Sequence, residues 1–97
     1  MATPYNLNTR ATTLKLAAAL THKRRWAILL YLEQYSMALN VTLVKQLQFP
    51  QSEVSRHVRV LLESGLIFKE RYGRNVVYRL HQPSWLKVKR MNDRDSE

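Results

Sequence analysis

The chain has 97 residues, enough for one domain with a single core and too few for two. Lys and Arg number 16 against 7 Asp and Glu, a net charge of +9; without residues 91–97, 15 bases face 4 acids, so the part expected to fold is more basic still. Such an excess favours a polyanionic partner, and the absence of cysteine excludes disulfides, thiolate metal ligation and thiol redox switching.

Residues 1–6 carry Thr, Pro and Asn and are expected to fray. From Leu7 to Leu20, apolar positions including Leu14, Ala17 and Ala18 approximate helical spacing. Thr21 offers a cap hydroxyl for a second helix opening on His22-Lys23-Arg24-Arg25, with Ile28, Leu29, Leu32 and either Trp26 or Tyr35 on its buried side. Cations in a first turn oppose the helix macrodipole, so this run serves a phosphate, serves an acidic neighbour, or is simply a solvated end.

Asn40 and Thr42 are both plausible caps for a short helix carrying Leu43, Val44 and Leu47, and Gln48-Phe49-Pro50 reads as a tight turn. The next helix, Gln51 to Glu63, places Val54, Val58, Leu61 and Leu62 on one dry stripe. Ser52, Arg56, Arg59 and Glu63 point the opposite way, with Gln51 and Ser55 at the edge. Helix, short turn, helix is the helix-turn-helix arrangement, and Gly65 stands where a helix C-terminus takes a left-handed residue.

The period then changes. Ile67 to Arg71 and Asn75 to Leu80 are β-branched and aromatic-rich runs around Tyr72-Gly73-Arg74, a hairpin pattern with Val76, Tyr78 and Leu80 expected toward the core. A basic hairpin directly behind a helix-turn-helix is a wing. Pro83 and Ser84 start a last helix, and residues 92–97 form a flexible acidic tail. On that helix, Trp85, Leu86, Val88 and Met91 face either a second copy, together with Leu14 and Ala17, or this chain's own core.

Guanidinium, hydroxyl and amide groups suit phosphates and base edges, so Gln51, Ser52, Ser55, Arg56 and Arg59 are the candidate reading residues, with Lys69, Arg71, Arg74 and Asn75 on the wing. Arg59 is read as a phosphate contact or a salt bridge to Glu63 one turn on, and His57 as an internal histidine. His22, His57 and His81 are too scattered for a metal site. No paired carboxylate, activated nucleophile or glycine-rich phosphate cradle appears, so no enzyme, metal or cofactor is expected.

The segments Pro50 to Leu61, Glu63-Ser64-Gly65-Leu66-Ile67 and Arg71-Tyr72-Gly73-Arg74 through Tyr78-Arg79-Leu80 resemble the recognition helix, helix-to-wing junction and wing of the arsenic-repressor (ArsR) family of bacterial transcription regulators. Leu20 to Leu29 is similar to the family's second helix, with Thr21-His22 replacing its usual Asp-Pro, and the likeness runs from about Leu14 to Leu80. It implies a mostly α winged helix-turn-helix in the order α-α-α-α-β-β-α. It also implies a homodimer through the terminal helices, bound to an imperfect palindrome in double-stranded DNA. The family's metal sites are missing: Leu39 to Leu43 holds no cysteine, and no histidine follows Ser84. No apolar run approaches the ~20 residues of a membrane-spanning helix, and Met1 to Asn8 lacks a secretory pattern. One domain, residues 1–97, is expected to act as a cytoplasmic, nucleoid-associated repressor, the alternative being a winged-helix module for protein or RNA.

Overall fold

The computed structural model describes residues 19–95, with side chains through residue 91. Its elements are α1 (Lys23–Tyr35), α2 (Asn40–Leu47), α3 (Gln51–Ser64), β1 (Ile67–Tyr72), β2 (Asn75–Leu80) and α4 (Gln82–Asp95). This is the expected mostly α winged helix-turn-helix with its two-stranded antiparallel hairpin. Of the first expected helix only Ala19 and Leu20, both helical, fall within the described residues; Leu14, Ala17 and residues 1–6 lie outside them. The helical backbone of α4 continues to Asp95, into the stretch expected to be flexible.

Helix ends follow the backbone more than the capping hydroxyls. His22, not Thr21, caps α1: its backbone is extended and its Nδ1 accepts from the Arg24 N–H at 3.2 Å. At α2 neither Asn40 nor Thr42 is the cap; Leu39 holds that place with no side-chain bond. The chain arrives there extended because Ala38 exchanges backbone hydrogen bonds with Tyr78 (3.1 and 2.8 Å), so the helix begins where that bridge releases it. Pro50 caps α3 and loses nothing by lacking an N–H, since its carbonyl accepts from Glu53 and Val54 at 3.0 Å. Gly65, at φ 81°, ends α3 with its N–H on the Leu62 carbonyl, while the Leu66 N–H returns to Leu61. This left-handed stop suits a residue without Cβ.

The core gathers Ile28, Leu29 and Leu32 of α1, Leu43 of α2, Val54, Val58 and Leu61 of α3, Leu66, Ile67 and Leu80. Trp26 is half-buried and donates its indole N–H to the Leu20 carbonyl at 3.0 Å, whereas Tyr35 is exposed. Strand β2 corrects one expectation. Leu80 is buried and Tyr78 half-buried, but Val76 is exposed and Val77 is buried instead. The hairpin extends past the reach of the helices, so burial fades along the Leu80, Tyr78, Val76 face. Val77, on the reverse face, is covered where Met37, Ala38, Leu39 and Tyr72 close around it.

Trp85 and Val88 belong to this chain's own core, each 2 % exposed, so they are removed from the surface proposed for a second copy; Leu86 and Met91 remain exposed. The Trp85 indole meets Trp26 edge-on at 5.9 Å and donates its N–H to Glu33 Oε2 at 2.6 Å. Lys89 pairs with the same oxygen at 2.9 Å. Hydrogen bonds from Lys89 and Trp85 hold the Glu33 carboxyl below the usual carboxylate range. These contacts fasten α4 to α1. Trp85→Ala is expected to cost about 3–5 kcal/mol in urea unfolding. Trp85→Phe, which keeps most of the volume and loses the donor, is expected to cost about 1–2 kcal/mol.

Candidate nucleic-acid interface

Burying Val54, His57, Val58, Leu61 and Ser64 determines what α3 shows to solvent. Ser52, Arg56, Arg59 and Glu63 lie on the opposite face, and Gln51 and Ser55 flank it; all six are exposed. Of the two polar residues turned inward, Ser64 is bonded within its own turn, whereas His57 is held through one ring nitrogen only and its buried Nε2 has no hydrogen-bond partner among the described residues. Ser64 Oγ donates to the Leu61 carbonyl at 2.7 Å, and His57 Nδ1 accepts from Arg25 Nε–H at 3.1 Å. Arg24 forms an ion pair with Glu53 and lies over the Phe49 ring at 4.8 Å. The basic first turn of α1 therefore meets an acidic neighbour through Arg24 and docks on the back and flank of α3.

Lys69, Arg71, Arg74 and Asn75 are exposed on the hairpin. Its register pairs Ile67 with Leu80, Lys69 with Tyr78, and Arg71 with Val76, so these residues share one face that runs outward from the core. The hairpin's acid, Glu70, is on the other face, where Arg79 binds it at 3.2 Å. Gly73, at φ 60°, opens the two-residue loop between Tyr72 and Asn75 and sets Arg74 at the tip.

Charge is thus sorted by position. Glu53 and Glu70 are neutralised by Arg24 and Arg79, while Arg56, Arg59, Lys69, Arg71 and Arg74 form no ion pair among the described residues. The salt bridge from Arg59 to Glu63 that the spacing allows does not form. Between α3 and the wing runs an open groove of about 450 Å³ that brings Ser55 and Arg59 together with Lys69. Gln51 instead faces a small hollow beside Asn40, Val41 and Val44. Arg74 and Asn75 stand farther out at the tip. Sequence reasoning missed the contributions of Tyr78 and Asn40 to the groove, and missed Glu53 and His57 as anchors of α1. The only advance sign of these anchors was the run of cations set against the α1 dipole.

His57 is 1 % exposed, and its ring lies 4.5 Å from that of His22. Burial, and then the positive charge of His22, Arg25, Arg56 and Arg24, lowers its pKa to about 4. The neutral ring is what Arg25 needs, because a protonated Nδ1 is unable to accept. No group of three His, Cys, Asp or Glu is placed to hold a metal among the described residues, and none of the helices they form is long and apolar enough to cross a membrane.

Helix-turn-helix, adjoining basic wing and unpaired cations on both define a winged helix-turn-helix domain. No protein-family model matches the chain. It is 39% identical over 66 residues to the HTH-type transcriptional repressor SmtB of Mycobacterium tuberculosis, covering 68% of this chain and 48% of that one, so it spans about half the length of the curated relatives it matches. Among solved structures it is similar to an ArsR-like transcriptional regulator from Rhodococcus sp. RHA1, at TM-score 0.75 and 26% identity over 89% of this chain and 80% of that one. It is also similar to HlyU from Vibrio cholerae N16961, at TM-score 0.63 and 28% identity over 72% and 75%. The chain belongs to the ArsR-like regulators, without the cysteines of a thiolate metal site.

His57 makes stability depend on pH. The unfolded chain takes up this proton near pH 6.5 and the folded chain near pH 4, so stability is full above about 6.5 and is lost as pH falls toward 4. The loss attributable to His57 is expected to reach roughly 3 kcal/mol. Urea midpoints measured across this range are expected to fall for the natural chain and to change much less for His57→Gln.

Proposed function

We propose that this chain is a sequence-specific DNA-binding transcriptional repressor that acts as a homodimer on an operator of imperfect twofold symmetry. One observation carries the reading: Arg59 of α3 and Lys69 of the wing, both without an ion pair among the described residues, open onto a shared groove, while Glu53 and Glu70 are held by Arg24 and Arg79. Two copies would lay Gln51, Ser52, Ser55 and Arg56 of each α3 into successive major grooves about one helical turn apart. Lys69, Arg71, Arg74 and Asn75 then follow the flanking backbone and minor groove. Occupancy of a promoter blocks transcription, and the protein works in the cytoplasm, where bacterial DNA is. The whole of residues 1–97 serves as one DNA-binding unit.

The second copy docks on the outer side of α4, where Leu86 and Met91 are 47% and 51% exposed. Sharing terminal helices stabilises so small a domain, and two half-sites raise affinity for DNA through effective concentration. Replacing both residues with Asp is expected to give monomers in sedimentation equilibrium and weaker binding to a two-half-site duplex.

If each subunit neutralises about four phosphates, affinity for duplex DNA should fall with salt at a log-log slope near −7 for the dimer. Selection from random duplex is expected to yield a palindrome preferred over unselected sequence. Arg56→Ala is expected to reduce that preference by about 1–3 kcal/mol. Equal affinity for the selected and random duplexes would identify a winged-helix module without an operator.

A further inference from the structure

The groove between α3 and the wing has two cationic walls. Ser55 and Arg59 line the α3 side and Lys69 lines the wing side, with Val58 and Leu62 beneath. Tyr78 and Asn40, two uncharged residues, complete it. Tyr78 sits directly across the strand pair from Lys69. Its backbone is bonded to Ala38 on its other edge (2.8 and 3.1 Å), which ties it to the start of α2. Its hydroxyl and the Asn40 amide have no hydrogen-bond partner among the described residues.

We infer that this groove is the seat of the sugar-phosphate backbone of one DNA strand, with Tyr78 and Asn40 as neutral donors to the phosphates that Arg59 and Lys69 neutralise. The inference rests on the DNA-binding reading above and assigns its backbone subsite. Three features favour this occupant over a small molecule. The groove is an open trough along the reading face, suited to a continuous strand. Its lining combines cations, Arg59 and Lys69, with uncharged hydrogen-bonding groups, Ser55, Tyr78 and Asn40, the residue chemistry that contacts phosphates. Its apolar floor offers contact to sugar carbons. Glu63 is the groove's only acid among the described residues and repels phosphate, so the strand crosses at the Ser55 and Arg59 end.

A helix in a major groove has a backbone on each side, and the wing places this trough along one of them. Tyr78 therefore sets register and affinity without reading sequence. It is a positioning residue, and removing its hydroxyl should weaken every duplex alike.

The test measures binding of the full chain to a random-sequence duplex and to a selected operator by fluorescence anisotropy over a range of salt. Tyr78→Phe is expected to weaken both by roughly 5–10-fold for each subunit with an unchanged salt slope, as loss of one neutral hydrogen bond per subunit requires. Lys69→Gln is expected to reduce the slope by about 1 for each subunit. Tyr35→Phe, which removes an exposed hydroxyl at the end of α1, serves as the control and should change neither. Neutral methylphosphonate linkages placed singly along one strand should weaken the natural chain at a short run of positions, and Lys69→Gln should lose that sensitivity. If Tyr78→Phe and Lys69→Gln both bind like the natural chain while Arg56→Ala is impaired, the groove is not the strand's seat although the DNA reading stands. If the natural chain shows no salt-dependent binding to either duplex, both fall.

Discussion

The burial of one stripe of α3 decides the rest. Val54, Val58 and Leu61 are 0%, 2% and 0% exposed, and each contributes on the order of 1.5–3 kcal/mol to keeping that face dry. Turning the helix by a single residue, about 100°, would put Ser55 and Arg59 where Val54 and Val58 lie and bury a guanidinium. The outward direction of Ser52, Arg56 and Arg59 is therefore a consequence of packing. Interactions from α1 reinforce it, with Arg25 holding His57 behind the helix and Arg24 holding Glu53 at its flank.

The same economy of charge extends to the wing. A two-stranded hairpin alternates its side chains between faces, so the pairing of Ile67 with Leu80 fixes Lys69 and Arg71 on the face that continues from the core past α3. Glu70 falls on the other face by the same alternation and is taken by Arg79. Basic surface is thereby concentrated where α3 and the wing converge. Of the neighbouring acids, Glu53 and Glu70 are neutralised by Arg24 and Arg79, which leaves Glu63 as the acid facing the groove.

Much of this was legible in the sequence because it depends on local periodicity and backbone chemistry. The dry stripe of α3, Gly65 as its stop, Pro50 at its start and the Gly73 turn all sit where pattern and turn chemistry put them. What failed depends on tertiary context. Caps expected at Thr21, Asn40 and Thr42 gave way to His22 and Leu39, since the bridge from Ala38 to Tyr78 controls how the chain approaches α2. Val76 alternates correctly yet stands in solvent because no helix reaches it. Ser36 and Gln48 end α1 and α2 at φ 73° and 58° without being glycine, so no composition signal marked them. Trp85 and Val88 show helical spacing that fits a partner surface and a core equally well, and only the position of α1 separates the two. The reading residues were identifiable one by one, but the groove that joins Ser55 and Arg59 to Lys69 and Tyr78 was not, because those four come from separate elements.

The central claim, that the outer face of α3 and the adjoining face of the wing form one DNA-contacting surface, is tested most directly by amide chemical-shift mapping of the isotopically labelled chain during titration with duplex DNA. The account predicts shifts concentrated at Gln51 to Arg59, Lys69 to Asn75 and Tyr78, with Leu30, Glu33 and Leu86 unmoved. Shifts confined to the outer side of α4, with α3 and the wing unchanged at saturation, would contradict it.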